Sequence, residues 1–497
     1  LTRNLKFTLA YDGSSFVGGG NINHELRYGA GLRNAETTSL STFPGPGHYL
    51  GSEWGAFGPN TGVFYADREG FAKSEQTYTS AYLQDTFSAG NLTVNLGLRY
   101  DLQESDNKAS SLRANPLLPD IMPAVTYEGG PGGFEWTSLV PRLGLTYAVG
   151  PERSTLLRAS YSRFADQLGA GVGAYTNPVA AYQYSYFMLQ GVPSDRGRIT
   201  IADLVDQNGD GRITLADALG ISPNYDPNTR GFARSNGVDP NLDPQMTDEL
   251  LLSVEHALLP EFVIGLNLTY RKITDILQTD LLVFDDPNGL GASSPTFINQ
   301  LGRRHQRSDY VLCATCPLAR PGGLPNGDSY NRNYYVLRDG ISTRGGGFLS
   351  NGDAEQEYKG GSITLNKRLA NRWMMRGNVT FSDWVWSKIP ESSIVDPTLI
   401  LGNGNREGEA VLQGSGTGSG SKGAIYINSR WAYNFNGLYQ VAPDRPWGFN
   451  VAASLSGREG YPLPYFERLS YGARGIPSFT RVQVVDDPTQ FRLDDVH

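Results

Sequence analysis

Gln-Thr-Tyr-Thr-Ser-Ala-Tyr-Leu-Gln-Asp-Thr-Phe-Ser-Ala-Gly-Asn-Leu-Thr-Val-Asn-Leu-Gly-Leu-Arg-Tyr-Asp (residues 76–101) decides the fold. In its second half Leu92, Val94, Leu96, Leu98 and Tyr100 share one parity, and Thr93, Asn95, Gly97, Arg99 and Asp101 share the other. Period 2 without an error is a β-strand with one apolar and one polar face. Before it, Ala81, Leu83 and Phe87 oppose Ser80, Gln84 and Thr86, and Ser88-Ala89-Gly90-Asn91 is the tight connection of an antiparallel hairpin. Rings stand near the strand ends at Tyr78, Tyr82, Phe87 and Tyr100. Soluble strands average about 5–6 residues. Strands of about 9–11 residues with a wholly apolar face and interfacial aromatics suit a membrane-spanning barrel.

The same pattern recurs outward from this hairpin. Leu5, Phe7, Leu9 and Tyr11 alternate, a Gly-rich stretch at 12–21 reads as a turn, and Leu26, Tyr28, Ala30 and Leu32 alternate again. Later pairs run from Leu143–Val149 through Gly150-Pro151 to Leu157–Tyr161, and from Leu250–Val254 through Leu259-Pro260-Glu261 to Phe262–Tyr270. Ile363 and Leu365 lead through Ala370-Asn371 to Trp373–Phe381, and Trp431–Tyr439 lead through Pro443-Asp444 to Trp447–Leu455. Between the pairs lie long connections at about 37–73, 105–135, 165–246, 276–354 and 388–421, the last holding the low-complexity run Gly414–Gly423.

This gives twelve strands and a possible thirteenth after Phe479. Short and long connections alternate strictly, as in an all-β, antiparallel up-and-down transmembrane barrel with turns on one rim and loops on the other. Structureless loops of this length argue against a compact soluble domain. The competing folds are a secreted β-helix and a multi-domain sandwich, neither of which needs a face apolar along a whole strand. By parity, Leu92, Val94, Leu96, Leu98, Phe262, Ile264, Leu266 and Leu268 face lipid, and Arg99, Asn267 and Arg271 face the interior.

Composition agrees. The 497 residues hold 60 Gly, 27 Tyr and 21 Phe, which suits strands, turns and aromatic girdles. No apolar run approaches the ~18 residues of a membrane helix. A formal charge of −8 argues against nucleic acid as a partner. The chain starts at Leu1 without a signal peptide and reads as a segment, 1–497, of a longer barrel protein.

Two loop motifs carry chemistry. Asp206, Asn208 and Asp210 stand at positions 1, 3 and 5 of a calcium loop, Gly211 at the sharp turn, Arg212 offers a carbonyl at 7, Thr214 stands at 9, and Asp217 closes at 12 where Glu is usual. The bland reading is an Asp/Gly-rich turn. Ile201, Leu204 and Val205 precede the loop and Leu215 and Leu219 follow it, which predicts a small helical, EF-hand-like subdomain over 198–221 ordered by calcium. Cys313 and Cys316 form the chain's one Cys-x-x-Cys. A redox motif, half a zinc site and a local disulfide all fit the spacing; a loop outside the cell favours the disulfide. The five His show no metal spacing, no nucleophile elbow appears, and no catalytic residue is expected. Trp54, Tyr175, Tyr182, Tyr184 and Tyr186 either contact ligand or pack the loops together.

Residues 82–87 and 91–101, with Val-Pro-Arg-Leu-Gly-Leu-Thr-Tyr (140–147), Leu-Leu-Arg-Ala-Ser-Tyr-Ser-Arg-Phe (156–164) and Leu-Ser-Gly-Arg-Glu-Gly-Tyr-Pro (455–462), resemble the barrel of TonB-dependent receptors, in spacing most like the Oar-like branch. The resemblance runs from about residue 24 onward. It implies a barrel of about 22 strands in the Gram-negative outer membrane, an N-terminal plug, coupling to an energy-transducing protein, and uptake of a substrate that the sequence does not identify. Plug, coupling motif and further strands are not in this sequence. The alternative is a non-transporting barrel that displays its loops for adhesion or scaffolds surface partner proteins.

Overall fold

The computed structural model describes residues 2–497 except 20–21, 42–47, 51–60, 69, 180–183, 191–198, 223, 291–294, 298–299, 316–317, 415–425 and 470–479. The run Gly414–Gly423 thus falls almost wholly outside the described residues. One twelve-stranded sheet dominates: β1 (Thr2–Gly19), β2 (Ile22–Ser41), β3 (Gly70–Ala89), β4 (Leu92–Asn107), β5 (Gly130–Val149), β6 (Thr155–Ala165), β7 (Met246–Leu259), β8 (Phe262–Thr274), β9 (Glu355–Ala370), β10 (Trp373–Lys388), β11 (Trp431–Val441) and β12 (Phe449–Arg458). Every strand pairs antiparallel with its successor in this series. β1 and β12 are the sheet's two edges, so among the described residues it does not close on itself.

The up-and-down order puts the tight turns at 89–92, 149–155, 259–262, 370–373 and 441–449 on one rim, and the long connections, with both loop motifs, beyond the other. The strands run further than the alternation shows. β1 continues through the Gly-rich stretch expected to turn, pairing Gly13 with Tyr28 and Gly19 with Ile22. The reason lies across the strand: a Cβ on Gly13 would come 2.6 Å from Cε2 of Tyr28, so glycine leaves room for the ring. The expected thirteenth strand is also corrected, since Arg481–Gln483 pairs with Phe466–Arg468 away from the main sheet.

The two faces follow parity. Leu96 and Leu98 are 50% and 48% exposed, and Tyr100, Leu139, Leu143, Leu145, Leu252, Leu266, Leu268, Phe381 and Leu455 continue this apolar face across the sheet. Gln103, Ser105 and Ser138 lie on the opposite face, buried where the long connections fold over it. Along each strand the exposed face changes abruptly from apolar to charged: Leu102 to Glu104 on β4, Tyr161 to Arg163 on β6, Tyr270 to Lys272 on β8, Phe381 to Asp383 on β10. Tyr161 and Tyr270 donate their hydroxyls across that boundary to Asp248 and Glu357. An aromatic edge below charged side chains marks where hydrocarbon gives way to water.

The boundary also measures tilt. The hydrogen-bonded row through Ser382, at the β10 boundary, crosses Gly360, Thr269, Leu251, Ser160 and Gly144 to reach β4 at Asn95. The β4 boundary lies near Gln103, about eight residues higher after six strand steps. With ~3.3 Å per residue and ~4.8 Å per strand, the strands tilt by roughly 40°, within the range of transmembrane barrels.

Candidate functional site

β1–β6 line a cavity of about 410 Å³. Tyr78, Arg99, Gln103 and Arg142 reach it from the polar parity of their strands, beside Arg33 from β2 and Phe164 from β6. Arg33 lies over the Tyr78 ring at 3.8 Å and Arg142 over Phe164 at 5.5 Å. Arg99 donates Nε to both oxygens of Asp101 at 2.9 Å. Stacking on a ring leaves the edge of a guanidinium free to donate. On β7 and β8, Arg271 pairs with Glu249 on the same inner face. The wall is therefore polar and arginine-rich, opposite a face built for lipid. The parity of Arg99 and Arg271 was legible in the sequence; their gathering with Arg33 and Arg142 needed the register.

The 206–217 loop stands above the rim, between β6 and β7. Asp206 accepts from the N–H groups of Gly209 at 2.7 Å and Gly211 at 2.6 Å, Asn208 from Asp210 at 2.9 Å, and Asp210 from Arg212 at 2.8 Å. Gly209 and Gly211 have φ of 73° and 82°, which their lack of a Cβ allows. Asp217 is fully buried and accepts from the backbone of Gln207 at 2.9 Å, Asn208 at 3.3 Å and Thr214 at 2.8 Å. Burial pushes its carboxyl up, but these donors outweigh it and hold the group below the usual carboxylate range. The donor types suit a hard cation. Among the described residues, however, no three His, Cys, Asp or Glu side chains gather as a metal group.

Two short helical turns flank the loop, as the apolar spacing predicts, but the end of the expected subdomain is a strand. Ile201–Asp203 and Leu215–Asp217 are single 3₁₀ turns, and Ala218–Ile221 is a strand paired with Ser185–Phe187. Cross-strand pairing took residues that the apolar spacing assigned to a helix. Leu204 is buried and Leu215 packs with it against Phe64, Met122, Phe187 and Leu189, as expected of a flanking apolar pair, whereas Ile201 is exposed.

Cys313 is disulfide-bonded and sits against Tyr334, Leu469 and Val482, its N–H donating to the Tyr334 carbonyl at 3.0 Å. Cys316 lies outside the described residues, as do Trp54 and Tyr182. Tyr175 packs with Trp136, Leu168 and Leu349, which favours the packing role for that ring. Tyr184 and Tyr186 belong to a loop strand, Tyr184–Gln190.

Comparison with known proteins adds the following. Residues 2–311 match the family model described as TonB dependent receptor-like, beta-barrel. No curated protein matches the chain. Among solved structures, the chain is similar to the siderophore receptor PiuA from Acinetobacter baumannii, with 12% identity over 92% of this chain and 46% of that one and a TM-score of 0.41. It is similar to the outer membrane transporter YddB from Escherichia coli, with 12% identity over 96% of this chain and 44% of that one and a TM-score of 0.43. It is also similar to the ferric-catecholate import receptor Fiu from E. coli K12, with 10% identity over 92% and 44% and a TM-score of 0.43. The chain spans a little under half the length of these three.

Proposed function

The chain belongs to the family of TonB-dependent receptor-like β-barrels and is an integral outer-membrane protein; from that premise we propose that it forms the barrel of a transporter carrying a solute across the outer membrane. The long connections face the cell exterior and the tight turns the periplasm. Further strands, to about 22 in all, close the barrel. A plug inside it links to an energy-coupling protein. The observation that carries this reading is a tilted sheet with one face apolar to a sharp boundary and the other lined by Arg33, Arg99, Asp101 and Arg142. A lipid-facing exterior over a charged interior is what a conduit for a polar solute requires.

The test is solute depletion. Cells with and without the full-length protein are given a defined mixture of small polar solutes, with and without a protonophore, and the medium is followed by mass spectrometry. The reading expects at least one solute to be depleted only with the protein and only in energised cells. No protein-dependent depletion would refute transport and leave loop display as the function.

Two loop assignments accompany this reading. Calcium completes the order of the 206–217 loop. Asp206, Asn208, Asp210 and Asp217 give side-chain oxygens, Arg212 its carbonyl, and Thr214 an oxygen directly or through water. Because Asp217 already ties both ends of the loop through backbone N–H groups, the ion's role there is structural. Cys313 and Cys316 close a local disulfide in the 276–354 connection.

A further inference from the structure

A second cavity, of about 540 Å³, lies among the connections above β8, β9 and β10. Its apolar wall includes Leu277, Trp386, Ile394 and Val411, and Asp280, His305 and Asp396 also line it. The two carboxylates differ. Asp280 is neutralised: Arg304 forms an ion pair with it, His305 Nε2 stands 3.8 Å from Oδ1, and Gln278 donates to Oδ1 at 3.2 Å. Asp396 accepts from the N–H of Thr398 at 2.8 Å, and among the described residues no Lys, Arg or His reaches ion-pair distance of it. The basic side chains nearest it in effect are His305 and Arg307, and both are engaged elsewhere: His305 Nδ1 with the Tyr310 hydroxyl at 2.6 Å, Arg307 over the Tyr335 ring at 5.0 Å. Burial pushes the Asp396 carboxyl up, outweighing the Thr398 hydrogen bond and the more distant Arg307 charge.

A carboxylate without a contacting cation, set in a half-apolar cavity, is costly unless a partner brings the charge. We infer that this cavity binds a primary ammonium group on an aliphatic stem, with Asp396 as counter-ion and the Leu277, Ile394 and Val411 wall against the methylenes. If the transport reading holds, this names a substrate class, amine-bearing solutes; the binding itself does not depend on transport. The site was not legible in the sequence, because its residues come from two connections, β8–β9 and β10–β11, and the ends of β9 and β10, and none lies in a motif.

The test is titration calorimetry of the purified full-length protein in detergent at pH 7.5, with 1,5-diaminopentane as ligand and glutarate, the dianion of equal length, as control. The diamine should bind saturably and glutarate should not. Asp396→Asn should weaken the diamine at least ~10-fold, the loss of one charge-assisted contact. Ile394→Lys, which places a tethered ammonium in the cavity, should abolish diamine binding while leaving thermal unfolding near that of the parent. Affinity should also fall as the pH is lowered and Asp396 takes up a proton. Equal diamine affinity in parent and Asp396→Asn, glutarate binding as tightly as the diamine, or no diamine binding would each overturn the inference. Failure here leaves energised depletion of other solutes untouched, whereas diamine binding without any energised depletion sinks transport and keeps the site.

Discussion

Replacing Leu98 by Arg tests the assignment of faces quantitatively. Leu98 is 48% exposed on the apolar face of β4. It lies about five residues below the boundary at Gln103; with ~3.3 Å per residue and a tilt of roughly 40°, that is ~12 Å of depth, the middle of a band ~25 Å tall. An arginine there should cost about 2–4 kcal/mol. Tyr100, about 5 Å higher but still ~7 Å below the boundary, should lose less than Leu98 on replacement by arginine, a cost between the midplane and interface values, plus the ring's packing. Asn95 faces inward on the same strand and accepts the Thr86 hydroxyl at 2.8 Å. Asn95→Arg should therefore cost little more than that hydrogen bond, about 0.5–1.5 kcal/mol. Urea titration of the full-length protein folded into phosphatidylcholine vesicles measures all three. Equal losses for Leu98→Arg and Asn95→Arg, or a loss that does not vary with depth between Leu98 and Tyr100, would refute the placement.

Three other outcomes follow from the loops. Chelating calcium should speed hydrogen exchange across 199–221 and leave 91–101 protected, and Asp206→Ala with Asp210→Ala should reproduce that pattern without chelator; an unchanged pattern and calcium content would remove the metal. Because the Asp217 carboxyl is held below its ordinary value, its contribution is fully present above the unfolded value near ~4 and is lost as pH falls through the folded one. Exchange of the Gln207 and Thr214 amides should thus stay slow down to about pH 4 and quicken below it, and Asp217→Asn should remove that acid step. Protein from the cell surface should show no alkylatable thiol until reduced, and reduction should loosen the segment 310–337 while the main sheet keeps its exchange protection; a free thiol in the unreduced protein would contradict the disulfide.

The twelve strands, their order and the two rims were legible because lipid imposes a uniform apolar parity over each membrane-spanning stretch. The strand ends were not. Above Leu102 the outward side chains are Glu104 and Asp106 while the buried ones are Gln103, Ser105 and Asn107, so polarity no longer alternates although pairing continues to Asn107. The Gly-rich start of the chain misled for another reason. Local turn signals favoured a loop, but Gly13 serves a ring on the neighbouring strand. The two short turns flanking 206–217 were legible from the apolar spacing, but the strand at 218–221 was set by a partner at 185–187, far from it in sequence. The arginine-lined wall and the Asp396 cavity were hidden because each assembles residues from separate connections or strands, a relation that only register and tertiary packing reveal.

The central claim is orientation across the outer membrane, and accessibility of single cysteines on intact cells tests it most directly. In full-length protein carrying Cys313→Ser and Cys316→Ser, one new cysteine is placed at Asn326, exposed in the long connection between β8 and β9, or at Asp444, exposed in the turn between β11 and β12. A membrane-impermeant maleimide should label Asn326→Cys on intact cells, and label Asp444→Cys only after the outer membrane is opened. Labelling of Asp444→Cys on intact cells as readily as Asn326→Cys would contradict the account.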